Sequence, residues 1–413
     1  MAKTHVVKLG ELLKRDISRR YYGTPDNFKL IVSANPFLST RVLTAEGTPT
    51  LQVGDVLAIP GIAKKTSSVI SEPDALEVFI EGKSINVPSN FQFNETFDTC
   101  TQSFTLKLPF DPVADRGVYK PFGNQDIAIF IGGTQRLAGV IEIITPSENV
   151  GERSITLAGR SKTYILQKTA MPTSGYPLER RAISLEKILS EWVLPIFSLE
   201  LLVESATTAP FSKVTAKENE SVWKFISSLA KQKARLLSGN GAGQLVLKKY
   251  EKTGSVYSFE EGVSLFKTPS ISYETAKVYR TTTGYSQSPG APNNKATQIL
   301  PFVKENSFKV FESKEATPAD IKEATKWEST KDLRGAFRFP IEVPGWLIPN
   351  GGRPWEAGDI VTITAPSALI YQSTDLLVRT IQFSLQGDRK TTKIELILPN
   401  TYSSNPEVPI FWE

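Results

Sequence analysis

The sequence predicts an α+β multidomain chain: a small N-terminal β-α-α-β unit, then two barrel-like all-β units flanking a mixed α/β insert. Three observations carry this. The 413 residues, 40% hydrophobic and 22% charged, fit a globular chain of two to four domains. Short runs of alternating apolar residues, separated by turn residues, fill two distant stretches. Between them lie segments whose apolar residues recur at helical spacing.

Each element follows in chain order. Residues 1–61 open with the strand "THVVK". Leu9, Leu12, Leu13, Ile17 and Tyr21 then sit at helical spacing, with Gly23 as the stop. A second helix starts at Thr24-Pro25, presents Phe28, Ile31 and Val32, and ends at Asn35-Pro36. "LQVGDVLAIPG" closes the unit as a strand. Polar residues 62–74 read as a linker. Residues 75–160 hold about six short strands, with "EGK" and "GGT" as turn signals, and suggest a small barrel or sandwich.

Residues 161–334 are the insert. "SLEKILSEWVLPIF" is a helix stopped near Pro195. A second helix, with Asn219 as candidate N-cap, presents Val222, Phe225, Ile226, Leu229 and Ala230 on one face. "GNGAG" (239–243) joins two strands. A third helix starts at Thr317-Pro318. Residues 335–400 are β again, with Phe337, Phe339, Ile341 and Val343 alternating, and 401–413 form an extended tail.

Residue types narrow the chemistry. Cys100 is the only cysteine and His5 the only histidine. An intramolecular disulfide and cysteine-based structural zinc are excluded, and any histidine-dependent triad would have to use a first-strand residue. No apolar run reaches the length of a membrane span, and no signal-peptide core precedes the first strand. The net charge of +5 is spread out, with eight basic and five acidic residues in 1–61, so no dense basic face marks a nucleic-acid binder. No cofactor or metal motif appears, and the chain reads as a non-enzyme. "GNGAG" lacks the Lys-Ser/Thr of a phosphate loop and sits between strands, which makes it a hairpin turn. Cys100, in a run of small and polar residues, reads as a structural thiol. Lys14, Arg15, Arg19 and Arg20 read as a solvated helix face, and the tryptophans as interface or core residues.

Residues 4–61 resemble a LysM domain: a first strand, the turn Gly10-Glu11, a helix ending "YYG", a second ending "ANP", and the closing strand "VGDVLAIP". LysM domains bind N-acetylglucosamine polymers through the loops after the first strand and before the second. The resemblance therefore implies Gly10, Glu11, Leu12, Asn35 and Pro36 as candidate carbohydrate-binding residues. Gly10-Glu11-Leu12 stands where LysM usually has Gly-Asp-Thr or Gly-Asp-Ser. The alternative use of these residues is to shape turns and helix ends, with the unit docking onto a protein partner.

Residues 75–400 resemble the Mu-like baseplate hub proteins of contractile-tailed phages. "LEVFIEGKSI", "LAGRSKTYILQKTA", "ESVWKFISSLAKQKARLLSGNGAGQLVL" and "WESTKDLRGAFRFPIEVPGWLIPNGGRPWEAGDIVTITAP" carry the likeness by their order. It implies that the two β units are tube-like β-barrels. It implies a homotrimer that adapts a sixfold tail tube to a threefold spike, located in the virion baseplate after assembly in the host cytoplasm. The partners it implies are the spike, the tube or its initiator, and baseplate wedge proteins, with peptidoglycan as a further candidate and the central channel as a candidate path for the genome. Two other readings stay open: a tail protein that binds or cleaves peptidoglycan, and the hub of a tailocin or type VI-like particle. Cleavage would require two carboxylates at glycosidase spacing.

"LQVGDVLAIPG" and "WEAGDIVTITAP" both place Gly-Asp before a short strand. Their flanking elements differ, so they read as two uses of one turn, with Gly supplying backbone freedom and Asp a local hydrogen bond.

Overall fold

The computed structural model describes residues 3–7, 12–18, 31–32, 34–42, 44, 48–59, 73–85, 88–149, 152–172, 178–205, 210–267, 271–286, 294–313, 317–349 and 352–403. The chain is mixed α/β, dominated by sheet.

In the N-terminal unit, β1 (Lys3–Val6) pairs antiparallel with β2 (Val56–Ile59), His5 opposite Leu57. Between them the described residues form a π-helical turn at Leu13–Ser18, helical Ile31-Val32 and a 3-10 turn at Pro36–Thr40. The first helix is thus wider than the α-helix its spacing predicts, with the Ile17 N–H bonded to the Leu12 carbonyl five residues back. Val7, Leu13, Ile17, Ile31, Leu38 and Leu57 make its own small core. Leu9, Tyr21 and Phe28 lie outside the described residues, as do the helix stop at Gly23, the Thr24-Pro25 start, Arg19, Arg20 and most of the linker.

The first β region contains β3 (Leu76–Ile80), β4 (Lys83–Ser84), β5 (Asn90–Thr96), β6 (Ser103–Pro109), β7 (Asp126–Ile131), β8 (Thr134–Asn149) and β9 (Glu152–Ser161). Alternation sends Phe91, Phe93, Phe104, Leu106, Ile127 and Ile129 inward. The insert begins with β10 (Glu179–Ile183). One α-turn at Leu185–Lys187 follows, capped by Ser184, and continues as a π-helix to Val193 and a 3-10 turn over Leu194–Phe197. Next come β11 (Leu201–Val203), β12 (Phe211–Thr215), α1 (Val222–Gln232), β13 (Leu236–Gly239) and β14 (Leu245–Lys248). All five predicted residues of the α1 face are buried. Its N-cap is Ser221, whose hydroxyl accepts the Lys224 N–H at 3.3 Å, in place of the expected Asn219.

The chain continues as β15 (Ser255–Glu260), β16 (Ser272–Tyr273), β17 (Thr281–Ser286), β18 (Lys295–Ile299), β19 (Phe308–Ser313) and α2 (Pro318–Ala336), then β20 (Phe337–Pro344), β21 (Ile360–Ala365), β22 (Ile370–Gln386) and β23 (Arg389–Ile397). Thr317 caps α2 and Pro318 opens it, as predicted.

"GNGAG" is a hairpin turn between β13 and β14. Its glycines are required by a close approach. A Cβ on Gly239 would stand 2.2 Å from the Cys100 carbonyl oxygen, and one on Gly241 2.1 Å from that of Gln135. The hairpin therefore seats the insert directly on the first β region. Cys100 is buried in the insert core, and burial pushes its thiol up to about 12. We expect no reaction with a neutral-pH disulfide reagent until denaturant is added; one thiol titrating at once in the native chain would contradict this.

The two β regions do not form separate sheets. Their strands join one 13-stranded sheet through pairing of β5 with β22, Asn90 opposite Gln386 and Thr96 opposite Thr380. The long strand β22 makes this possible. Its first half pairs with β21, and its second half runs on past β21 to receive β5. One hydrophobic core spans both regions.

Within that sheet a second order appears. Apart from the two-residue β4, which adds outside β3, the first region reads β3-β7-β8-β9-β6-β5, and the last reads β15-β21-β22-β23-β20-β16. Numbered along the chain, both are strands 1-4-5-6-3-2. The sets differ in two respects: β4 has no counterpart in the last set, and β3 runs antiparallel to β7 whereas β15 runs parallel to β21. β15 and β16 come from the segment that the sequence assigns wholly to the insert. Among the described residues the outer strands of neither set pair with each other.

Candidate functional site

The candidate carbohydrate residues are placed unevenly. Gly10 and Glu11 lie outside the described residues. Leu12 is half-buried just before the π-helical turn. Asn35 is buried, and its Nδ2 donates to the Ile31 carbonyl at 2.7 Å, so its amide closes a helix end. Pro36 begins the following 3-10 turn.

The two Gly-Asp turns prove alike in detail. Gly54 and Gly358 adopt φ of +92° and +108°, open to glycine and strained for other residues. The Asp55 carboxylate accepts the Gln52 N–H at 2.8 Å, and Asp359 accepts the Glu356 N–H at 2.9 Å. Each carboxylate also takes a two-pronged arginine, Arg41 in the first turn and Arg353 in the second. The Arg41 guanidinium holds the Asp55 carboxyl below its ordinary range.

The second turn belongs to a wider charged seam between the two β sets. Arg136 of β8 is buried and reaches Glu356 at 3.2 Å and the Pro354 carbonyl at 3.4 Å. Lys390 of β23 holds Asp74 at 2.8 Å. Arg379 of β22 pairs with Glu395 at 3.0 Å and Asp98 at 3.6 Å. The Arg136–Glu356, Lys390–Asp74 and Arg379–Asp98 pairs tie parts of the chain more than two hundred residues apart. Sequence reading does not single them out. Arg136 is out of phase with the inward-facing Leu137, Gly139 and Ile141 and sits at a bulge opposite β7, so alternation does not mark it.

Glu95 sits near this seam, on the inward side of β5 with Phe91 and Phe93. Burial, opposed by Arg136 and reinforced by Glu356, raises its carboxyl to about 7. It therefore keeps a proton in the folded chain over a range where the unfolded chain has released it. That contribution to stability is full below pH 4.5, the ordinary glutamate value, and is lost as pH rises through about 7. Glu95→Gln is expected to match the parent below pH 4.5 and to gain about 2 kcal/mol above pH 7, allowing for residual solvent contact. Urea unfolding at the two pH extremes checks this; a variant less stable than the parent at high pH would contradict it.

Cys100 and His5 are both buried and lie in different units. Among the described residues no group of three or more His, Cys, Asp or Glu side chains is placed to hold a metal ion. None of their helices is long and apolar enough to cross a membrane. Trp327, Trp346 and Trp355 are fully buried, so they are core residues and not exposed interface markers. What the arrangement provides is mechanical: two sheet sets locked at a charged and aromatic seam, with an insert seated on one of them.

Residues 170–249 match the family model described as the second domain of gp44-like baseplate hub proteins. Over 318 residues the chain is 24% identical to the baseplate hub protein gp44 of Escherichia phage Mu, an alignment covering 71% of this chain and 79% of that one. In fold it is similar to the 43 kDa tail protein of prophage MuSo2 from Shewanella oneidensis, with a TM-score of 0.67 and 19% identity, covering 79% of this chain and 99% of that one. It is likewise similar to a tail protein from Neisseria meningitidis MC58, with a TM-score of 0.66 and 16% identity, covering 81% and 99%. The match of the insert, the alignment with the Mu protein and the shared fold together make this chain similar to the Mu-like baseplate hub proteins.

Proposed function

We propose that this chain is a structural hub of a phage tail baseplate, working as a homotrimer that joins a sixfold tail tube to a threefold spike. The observation that carries the reading is the repeated strand order. Two β sets of one topology in each chain give six related sets in a trimer, while the inserts and N-terminal units keep threefold symmetry. The two sets are then the tube-like units, and ring assembly covers sheet edges left free in the monomer. Its neighbours are the spike, the tube or tube initiator, and the wedge proteins, with the protein located in the virion tail. Its role is mechanical and requires no catalytic residue.

We assign the N-terminal unit to docking on baseplate partners. Asn35, a candidate sugar ligand, spends its amide on a helix end, which favours this over a peptidoglycan groove. Mass measurement in solution and on particles tests the hub reading. The expected result is three copies, alone or with spike and tube proteins. A stable monomer under every condition would overturn it. Capture of the chain on purified cell wall, with clearing of that wall, would favour the peptidoglycan reading instead.

A further inference from the structure

Two long strands hold the same place in the two β sets, and only one of them is covered. In the last set, β22 leaves β21 after Leu377. Its Val378 N–H bonds to the Asp359 carbonyl at 2.8 Å, and its second half receives β5. In the first set, β8 leaves β7 after Val140, and its Ile141 N–H bonds to the Gln125 carbonyl at 2.9 Å. Each strand then carries a bulge against its hairpin partner, at Arg379 and at Glu142. Beyond the bulge both run on for the same length, over residues 380–386 and 143–149. Residues 380–386 lie against β5, with Ile381, Phe383 and Leu385 buried. Residues 143–149 have no strand on the equivalent side among the described residues, and all but Ile144 are exposed.

The counterpart of β5 in the last set is β16, which ends the sheet. Register fixes the correspondence. Ile141 faces Gly159 and Gly159 faces Phe104, as Val378 faces Leu396 and Leu396 faces Phe339. Asn94 stands opposite Ser103, beside Phe104, and Ser272 opposite Arg338, beside Phe339. Ser272 therefore holds the place of Asn94, and Thr145 holds the place of Gln382, the partner of Asn94 on β22. A rotation that carries the first set onto the last carries the β5–β22 seam onto a seam between β16 of one chain and β8 of the next.

Charge fits the same match. Arg379 holds Glu395 of its hairpin partner at 3.0 Å and reaches Asp98, just past β5, at 3.6 Å. Glu142 holds Arg160 of its hairpin partner at 3.1 Å, and exposed Lys277 stands just past β16. The signs are reversed on both sides, so the attraction is kept. Pro146 holds the place of Phe383. Bonds at Arg379 and Gly387 put Phe383 among the residues bonded to β5, so the N–H that Pro146 lacks belongs to the open side. That bars long, indiscriminate strand addition and leaves a short matched segment.

We propose that residues 143–146 of β8 pair antiparallel with residues 271–274, around β16, of a second copy of this chain. The inference rests on the trimer reading above. Three chains then share one sheet, joined alternately by the β5–β22 seam and by this one.

The test uses the full chain, alone and with spike and tube proteins, and measures mass before cross-linking. The Thr145–Ser272 pair is of the type without mutual hydrogen bonds, with Cα atoms about 4.5 Å apart, within disulfide reach. Thr145→Cys with Ser272→Cys in one chain is expected to give a covalent trimer on mild oxidation, and neither single change a ladder. Cys100 is buried and does not compete. Ile144→Pro removes a donor from the open side alone, and is expected to raise the concentration for half-assembly about tenfold without changing the melting of the separated chain. A trimer by mass that gives no cross-link overturns the inference and leaves the hub reading standing. So does equal cross-linking by Thr145→Cys with Lys277→Cys, or unchanged assembly of Ile144→Pro. A stable monomer under every condition removes the hub reading and this inference with it.

Discussion

Phe383→Ala is expected to lower the stability of the chain by about 3–5 kcal/mol. The side chain is fully buried on β22, where that strand receives β5. Its ring stacks on Phe93 of β5 at 6.1 Å and 16°, and meets Trp346 at 5.8 Å. Trp346 in turn packs edge-on to Phe91 at 5.7 Å, and its indole N–H donates to the Ser384 carbonyl at 3.1 Å. Removing the ring therefore opens a cavity in the aromatic cluster that holds the two sheet sets together. Neighbouring rings are themselves locked, so the site cannot collapse to fill it. Phe383→Leu keeps most of the volume and should cost much less. Denaturant unfolding measures both; a loss below about 1 kcal/mol for the alanine variant would show that the seam is not tightly packed.

Asp359→Ala is expected to cost about 2–3 kcal/mol. The carboxylate is 8% exposed and accepts from both Arg353 nitrogens and from the Glu356 N–H. The substitution breaks a charge-assisted pair and leaves a partly buried turn N–H without its acceptor. Arg353 is partly exposed and can recover water, which keeps the cost below that of a fully buried pair. Arg353→Met together with Asp359→Ala should therefore cost less than the two single changes added. A double-mutant cycle reads this directly, and strict additivity would show that the pair does not act as a unit. Asp55→Ala removes the same set of contacts from the N-terminal unit and should destabilise that unit in the same way.

Much of the fold was legible because alternation and helical spacing act locally. Phe91 and Phe93, or Phe225 and Ile226, face inward for reasons contained in a few neighbouring residues. Caps were legible where one residue dominates, as at Thr317-Pro318. Where two candidates compete, spacing was not enough: Ser221 rather than Asn219 caps α1, because its hydroxyl is the one that reaches an N–H three residues on. The joined sheet was not legible. Pairing of Phe93 with Phe383 depends on where β22 ends relative to β21, and alternation alone contains no partner. The assignment of β15 and β16 to the last β set was hidden for the same reason. The repeated strand order left no trace in residue identities, since the same topology asks only for apolar residues on one side. The seam arginines were hidden because a lone arginine in a strand reads as surface until its partner is known. Of the candidate sugar residues, Asn35 is the clearest lesson: the same amide that suits a ligand also suits a helix end three to four residues back.

The pairing of β5 with β22 also sets an order of events during synthesis. Asn90 is made almost three hundred residues before Gln386, so β5, paired on one side with β6, keeps its other side open until β22 has emerged. During that interval it displays Phe91 and Phe93 along an open edge strand, a pattern that invites pairing with other chains. Chains nicked or stopped before β22 would carry this edge permanently and aggregate. Synthesis of β22 is thus a checkpoint: only a chain that contains this strand can bury the edge and become competent to assemble.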